Sequence, residues 1–171
     1  MKIESVVTER LLLHPLSVAE AERIVEGEAL PGDRWAEGYP EDGSRNGGRG
    51  FLRGCAERGD PGVYRAYEIR RREDGFAIGG IGFHGPPDEE RFATVGYSLV
   101  PDARGQGYAR EALGGLIGIA RDAGAAGVKG DANLDNLPSQ RVMEAAGMTY
   151  AGEDERVRYY RLEFAAGTGS A

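Results

Sequence analysis

VGYSLVPDARGQGYAREAL (residues 95–113) runs from a β-prone segment, through two glycines two positions apart, into an alanine–leucine stretch. Gly105 and Gly107 alone carry little weight in a chain with 28 glycines. Their setting gives them meaning. Beyond Gly107 the apolar period becomes helical, with Ala109, Leu113, Leu116, Ile117 and Ala120 on one stripe. The first N–H groups of a helix lack internal partners and sit at the positive end of its dipole. A glycine turn just ahead of them lets successive N–H groups face one anion, and Arg104 and Arg110 add positive charge. Strand, glycine turn and helix together predict a phosphate cradle.

Two common phosphate loops do not fit. No Gly-Lys-Ser/Thr follows the glycines, as a P-loop requires. Residue 110, where a dinucleotide fingerprint would place its third glycine, is arginine. The preceding strand also ends a meander and does not start a βαβ unit.

Upstream, TERLLLHPL (8–16) reads as a strand, and SVAEAERIVEGEAL as a helix with Ser17 and Glu20 as its capping box. Residues 31–50 are rich in turn formers and read as a long loop carrying Trp35 and Tyr39, with FLRGCAERG a short helix after it. Residues 62–71, 76–85 and 91–100 read as an antiparallel meander joined by hairpin-length links. GVKGDANL (127–134) follows as a strand. NLPSQRVMEAAGM is a helix with Asn136 as cap, Pro138 in its first turn and Gly147 beyond its end. A final hairpin spans TYAGEDERVRYYRLEF, and 165–171 reads as a frayed tail. The order is β-α-loop-βββ-αβ-αββ, one mixed α/β domain over 1–164.

The formal charge of -7, from 28 acidic and 21 basic residues, argues against a nucleic-acid partner. No apolar run is long enough for a membrane helix, the N-terminus lacks a secretory signal, and the one cysteine, Cys55, fits a reducing cytoplasm. With two histidines and one cysteine, no metal-ligand spacing is present.

Arg104-x-x-Gly107-x-Ala109 resembles the (Gln/Arg)-x-x-Gly-x-(Gly/Ala) signature of the GNAT superfamily of N-acetyltransferases. IGGIGFHGPP, VGYSLVPDARGQGYAREAL and NLPSQRVMEAAGM follow in that family's order and look most like its ribosomal-protein N-acetyltransferase branch. TERLLLHPL and ERVRYYRLEF resemble the branch's first and last strands. The resemblance covers most of 8–164 and leaves 31–60 poorly matched. It implies a central, mostly antiparallel twisted sheet with helices on both faces and splayed strands that form an acetyl-CoA cleft.

It also implies roles for residues. The pantetheine arm of acetyl-CoA would pair with Ser98, Leu99 and Val100, and its pyrophosphate would rest on N–H groups of Gly105, Gln106, Gly107, Tyr108 and Ala109, with Arg104 alongside. Asn136 and Ser139 match the family's Asn-x-x-Ser near the sulfur, which makes Ser139 the choice for protonating the departing thiolate. The expected activity is transfer of the acetyl group to a primary amine, on a small molecule or a peptide N-terminus. Trp35, Tyr39, His84 and Thr94 are the candidates to border that acceptor. The family's habit points to a homodimer, although the sequence shows no clear interface.

The pattern breaks at the base. Many relatives read Glu-Ile/Val-Gly-Tyr where this chain has Thr94-Val95-Gly96-Tyr97. Threonine takes no proton at neutral pH, which leaves a water held by Thr94, His84 at the end of the preceding strand, or solvent. Glu90 lies about 13 Å away along a strand. The same break keeps open a different class of function, a CoA-binding sensor or interaction module without turnover.

Overall fold

The computed structural model describes residues 2–165. Apart from Ala165, the expected tail lies outside the described residues. Eight strands form one sheet, in the order β1-β2-β3-β4-β5-β6-β8-β7. They are β1 (Val6–Val7), β2 (Leu11–Pro15), β3 (Ala66–Arg71), β4 (Ala77–Phe83), β5 (Phe92–Leu99), β6 (Gly127–Asn133), β7 (Thr149–Glu153) and β8 (Val157–Glu163). Every pairing is antiparallel except β5 with β6. Helices α1 (Val18–Glu26) and α2 (Asp42–Arg58) pack on one another, with α2 against β4 and β5; α3 (Tyr108–Asp122) and α4 (Leu137–Ala145) pack together beside the same sheet. No helix among the described residues is long and apolar enough to cross a membrane.

The pleat assigns each face. Leu13, Ile69, Gly79 and Leu99 stand opposite one another across β2 to β5. Gly115 of α3 packs on Leu13, so this row faces α3. The next row, His14, Glu68, Gly80 and Ser98, faces α1 and α2: His14 bonds Glu20 of α1 at 2.8 Å, and Gly43 of α2 sits on Ser98. The buried stripe of α3, including Ala112, Leu113, Leu116, Ile117 and Ala120, closes the core on its side.

Three elements differ from the sequence expectation. The long loop ends early, because residues from Asp42 onward form the 17-residue α2, which absorbs the short helix expected after it. Five glycines in that segment hide its helical character, and tertiary contact restores it: Phe51 is buried, and Gly48 allows close approach to Ala21 and Val25 of α1. The strand expected over 8–16 begins only at Leu11, after a turn at residues 8–10, and the short β1, which was not expected, precedes that turn. The strand expected over 62–71 begins at Ala66, after a turn in which Arg65 holds Gly62 and Asp60. The capping box at Ser17 and the Asn136 cap form as expected.

Candidate acetyl-transfer site

Strands β5 and β6 pair only at Phe92, Ala93 and Thr94, opposite Gly127, Val128 and Lys129. Beyond Thr94 they part: β5 continues along β4, and β6 continues along β8. In an antiparallel pair the main-chain groups alternate between the two neighbours. His84 N–H donates to the Thr94 carbonyl at 2.9 Å, and Val100 N–H donates to Ile78 at 2.9 Å. The even-numbered residues are therefore bound to β4, and the main-chain groups of Val95, Tyr97 and Leu99 face the gap. Of the expected trio Ser98, Leu99 and Val100, the first and last are thus bound to β4 through their main chain. Only Leu99 presents its main chain to the gap, and its carbonyl accepts from Arg104 Nε at 3.1 Å.

The gap opens at its far end onto the glycine turn. Gly105 (φ 76°) and Gly107 (φ 83°) both adopt the left-handed conformation that the turn needs. The N–H groups of Gly105, Gln106, Gly107, Tyr108 and Ala109 make no hydrogen bond among the described residues. All five expected donors thus remain available at the start of α3. The Tyr108 side chain is buried, so only its main chain faces out at the turn.

Arg10, which the sequence did not single out, braces this turn from the β1–β2 turn. Its guanidinium donates to the Gln106 carbonyl at 2.9 Å, pairs with Glu111 at 2.7 Å and lies 4.4 Å from the centre of the Tyr108 ring. Glu111 also accepts from the Thr8 hydroxyl and the Arg10 main-chain N–H. Burial pushes the Glu111 carboxyl up, but these donors outweigh it and hold the group below the usual glutamate range. Glu111 is thus a clasp between the β1–β2 turn and α3, beyond the dipole complement its position predicts.

Across the gap, the Asn136 side chain caps α4 by accepting from Ser139 N–H at 3.2 Å. The Ser139 hydroxyl shares a 2.9 Å hydrogen bond with the hydroxyl of Tyr97, which also lies 3.1 Å from the Ser139 carbonyl. Burial holds the Tyr97 hydroxyl above the usual phenol range, partly offset by Ser139. It therefore stays protonated near neutral pH. Tyr97 is the link between β5 and α4 beside the gap.

A cleft of about 710 Å³ lies between α2 and the opposite face of the sheet. Tyr39, Phe51, Tyr67 and Phe83 supply aromatic surface, while Gly80, Gly82 and Gly96 leave its floor bare. Tyr97, next to the bare Gly96, is also among the cleft's lining residues, while its hydroxyl lies on the other face with Ser139. Of the expected acceptor residues, Tyr39 and His84 line the cleft. Tyr39 is buried, and its hydroxyl donates to Glu68 at 2.8 Å. Trp35 does not line it: it bridges to Ala77 of β4 and packs edge-on against Tyr39 at 5.4 Å, which anchors the loop. Thr94 is half-buried beside the cleft, and Glu90 is exposed in the turn before β5. Cys55 is half-buried on α2, and burial pushes its thiol up, away from a reactive thiolate.

Solved structures share this architecture. An acetyltransferase from Agrobacterium tumefaciens is 23% identical with a TM-score of 0.67, each chain covered to 96%. A ribosomal L7/L12 alpha-N-protein acetyltransferase in complex with coenzyme A is 17% identical with a TM-score of 0.68, covering 94% of this chain and 98% of its own. The microcin C7 self-immunity acetyltransferase in complex with acetyl-CoA and AMP is 17% identical with a TM-score of 0.63, covering 92% and 94%. No curated protein matches the chain by sequence. The acetyltransferase (GNAT) domain family matches residues 10–149, a span that holds the parted strands, the glycine cradle and the Asn136–Ser139 cap. The chain belongs to the GNAT acetyltransferase family.

Proposed function

We propose that this protein transfers the acetyl group of acetyl-CoA directly to a primary amine held in the cleft beneath α2, as a cytoplasmic enzyme built from residues 1–164. One observation carries the reading: the unpaired N–H groups at 105–109 open onto the gap between β5 and β6, and Tyr97 joins that gap to the cleft. Two substrates could then meet from opposite faces of the sheet. The cradle takes the pyrophosphate, and the outward main chain of Tyr97 and Leu99 flanks the pantetheine arm. N–H groups on that edge are placed to stabilise charge developing on a carbonyl oxygen. The amine nitrogen bonds to the acetyl carbon as the carbon–sulfur bond breaks, and the Ser139 hydroxyl, backed by Tyr97, gives the sulfur its proton.

The cleft favours an amine attached to an apolar or aromatic body. Its lining carboxylates are engaged: Asp60 with Arg65, and Glu57 with Arg58. A polycation would find few unpaired partners. A peptide N-terminus fits as well as a small molecule, and a fold neighbour acting on a ribosomal protein's alpha-amino group supports keeping both.

The test is release of CoA from acetyl-CoA over a panel of dipeptides, monoamines, polyamines and aminoglycosides. Release with an apolar-bodied amine is expected. Thr94, in place of a carboxylate, favours the second reading, a sensor without turnover; tight binding with no release on any acceptor would establish it. Gly107→Glu puts a negative side chain in the cradle and should abolish CoA binding with the fold intact. Unchanged affinity would refute the cradle.

A further inference from the structure

Thr94 leaves the amine without the carboxylate base that its strand position would otherwise supply. We infer that His84 takes this role, as the general base that deprotonates the acceptor ammonium. The inference rests on the amine-acetylation reading above and concerns a residue that reading does not use.

Position is the first argument. His84 and Thr94 are hydrogen-bonded opposite one another across β4 and β5, so both side chains project toward α2. The imidazole does not stop at Thr94. A Cβ placed on Gly96 would lie 2.7 Å from His84 Nε2, so the ring rests over the bare main chain of Gly96. Gly96 lies just past Thr94, where β5 leaves β6, and immediately before Tyr97. Nε2 therefore lies against the floor of the cleft, one residue before Tyr97.

Chemistry is the second argument. Imidazole is the side chain suited to taking and returning a proton near neutral pH. His84 is exposed, lines the cleft, and has no side-chain hydrogen-bond partner among the described residues. The other histidine, His14, is held by Glu20 at 2.8 Å. The cleft's carboxylates, Glu57 and Asp60, each hold an arginine. Charged groups facing this corner are cations or paired: Arg58 of α2 reaches Gly85, and Lys129 of β6, opposite Thr94, is tied to Asp88.

The protons balance. The ammonium gives one proton to Nε2, which returns it to solvent from its exposed side. The free amine attacks, the carbon–nitrogen bond forms and the carbon–sulfur bond breaks. The second nitrogen-bound proton leaves as the sulfur is protonated from Ser139, which recovers it through Tyr97. The products are an amide, CoA thiol and one released proton.

The test uses His84→Ala, His84→Gln and Gly96→Ala in the full chain. Acetyl-CoA affinity is measured by calorimetry, and kcat/KM is measured on amines of graded basicity. His84→Ala should lower kcat/KM for strongly basic amines about 100-fold or more, with acetyl-CoA affinity changed less than about twofold. The loss should shrink for weakly basic amines, and added imidazole should restore part of the rate. Gly96→Ala forces the ring aside through a movable side chain, so the fold survives and the rate falls. In the His84→Ala background Gly96→Ala should cost little more. A wild type with no turnover would overturn the acetylation reading and this inference with it. An active wild type with an unaffected His84→Ala would overturn the base alone. So would a loss that ignores amine basicity and resists imidazole, which would make His84 a binding residue.

Discussion

Arg10→Ala tests whether the cradle is held in shape from outside its own loop. The substitution removes the ion pair with Glu111, the bond to the Gln106 carbonyl and the stacking on Tyr108. It does not orphan Glu111, which keeps the Thr8 hydroxyl and the main-chain N–H of residue 10. The Arg10 side chain is 43% exposed, so the ion pair is worth at most about 1 kcal/mol. The stacking adds about 0.5–1 kcal/mol, and the bond to Gln106 about 0.5–1.5 kcal/mol. Roughly 2 kcal/mol is lost, which for a domain of this size lowers Tm by about 4–8 °C. Because Arg10 grips Gln106 between the two glycines, part of that loss falls on the loop's binding conformation. A share of about 1.4 kcal/mol weakens CoA binding tenfold, since only the fraction of molecules with the cradle formed can bind. Calorimetric titration with CoA and a thermal melt read the two effects separately. Arg10→Lys keeps the charge but not the fork that reaches Glu111 and Gln106 together, and should resemble Ala more than the wild type. A lowered Tm with CoA affinity unchanged would refute the reasoning and reduce Arg10 to a staple between the β1–β2 turn and α3.

Three further outcomes are expected. Tyr97→Phe and Ser139→Ala should each lower kcat more than they weaken acetyl-CoA binding, and the double variant should be no worse than the poorer single one; additive losses would show that the hydroxyls do not act as a unit. Gly43→Ala should destabilise by about 1–3 kcal/mol, because its Cβ would lie 2.3 Å from Ser98, whereas Gly47→Ala, with open space around it, should stabilise α2 by up to about 1 kcal/mol. Equal melting shifts for the two would argue against α2 seated on β5. Glu111 has a depressed carboxyl, so its contribution is present above the ordinary glutamate range and is lost as pH falls through the folded value. The stability gap between wild type and Glu111→Gln should therefore narrow below about pH 4.5, and a gap constant down to pH 3 would sink the clasp.

The strand–glycine turn–helix was legible because its signal is local: a strand, two glycines and an apolar helical stripe lie within twenty residues, and the structure gives each glycine the left-handed backbone the turn requires. The caps at Ser17 and Asn136 were legible for the same reason. What failed was non-local. Five glycines in α2 weaken its helix signal in any local window, and packing on α1, β4 and β5 makes the helix worthwhile. Tyr97 and Ser139 are 42 residues apart, and Arg10 and Gln106 are 96 apart. No spacing rule joins such pairs, because they are created by the sheet order.

The cleft shows how the glycine excess, read from composition as background, is put to use. Gly79 and Gly82 face main chain closely enough that any Cβ would collide with the neighbouring strand, so their bareness is a packing requirement. Gly80 and Gly96 differ. Their missing Cβ atoms face Ser44 Oγ and the His84 ring, side-chain atoms on the cleft wall, and the sheet would close without either glycine. Methyl groups there would fill the floor from which the proposed amine would reach the gap, and one of them would displace the imidazole. The glycines at 105 and 107 clear the donor's end in the same way, by keeping side chains off the free N–H groups. Bare backbone thus lies on both sides of Tyr97, and that continuity ties the cradle at one end of β5 to the cleft on its other face.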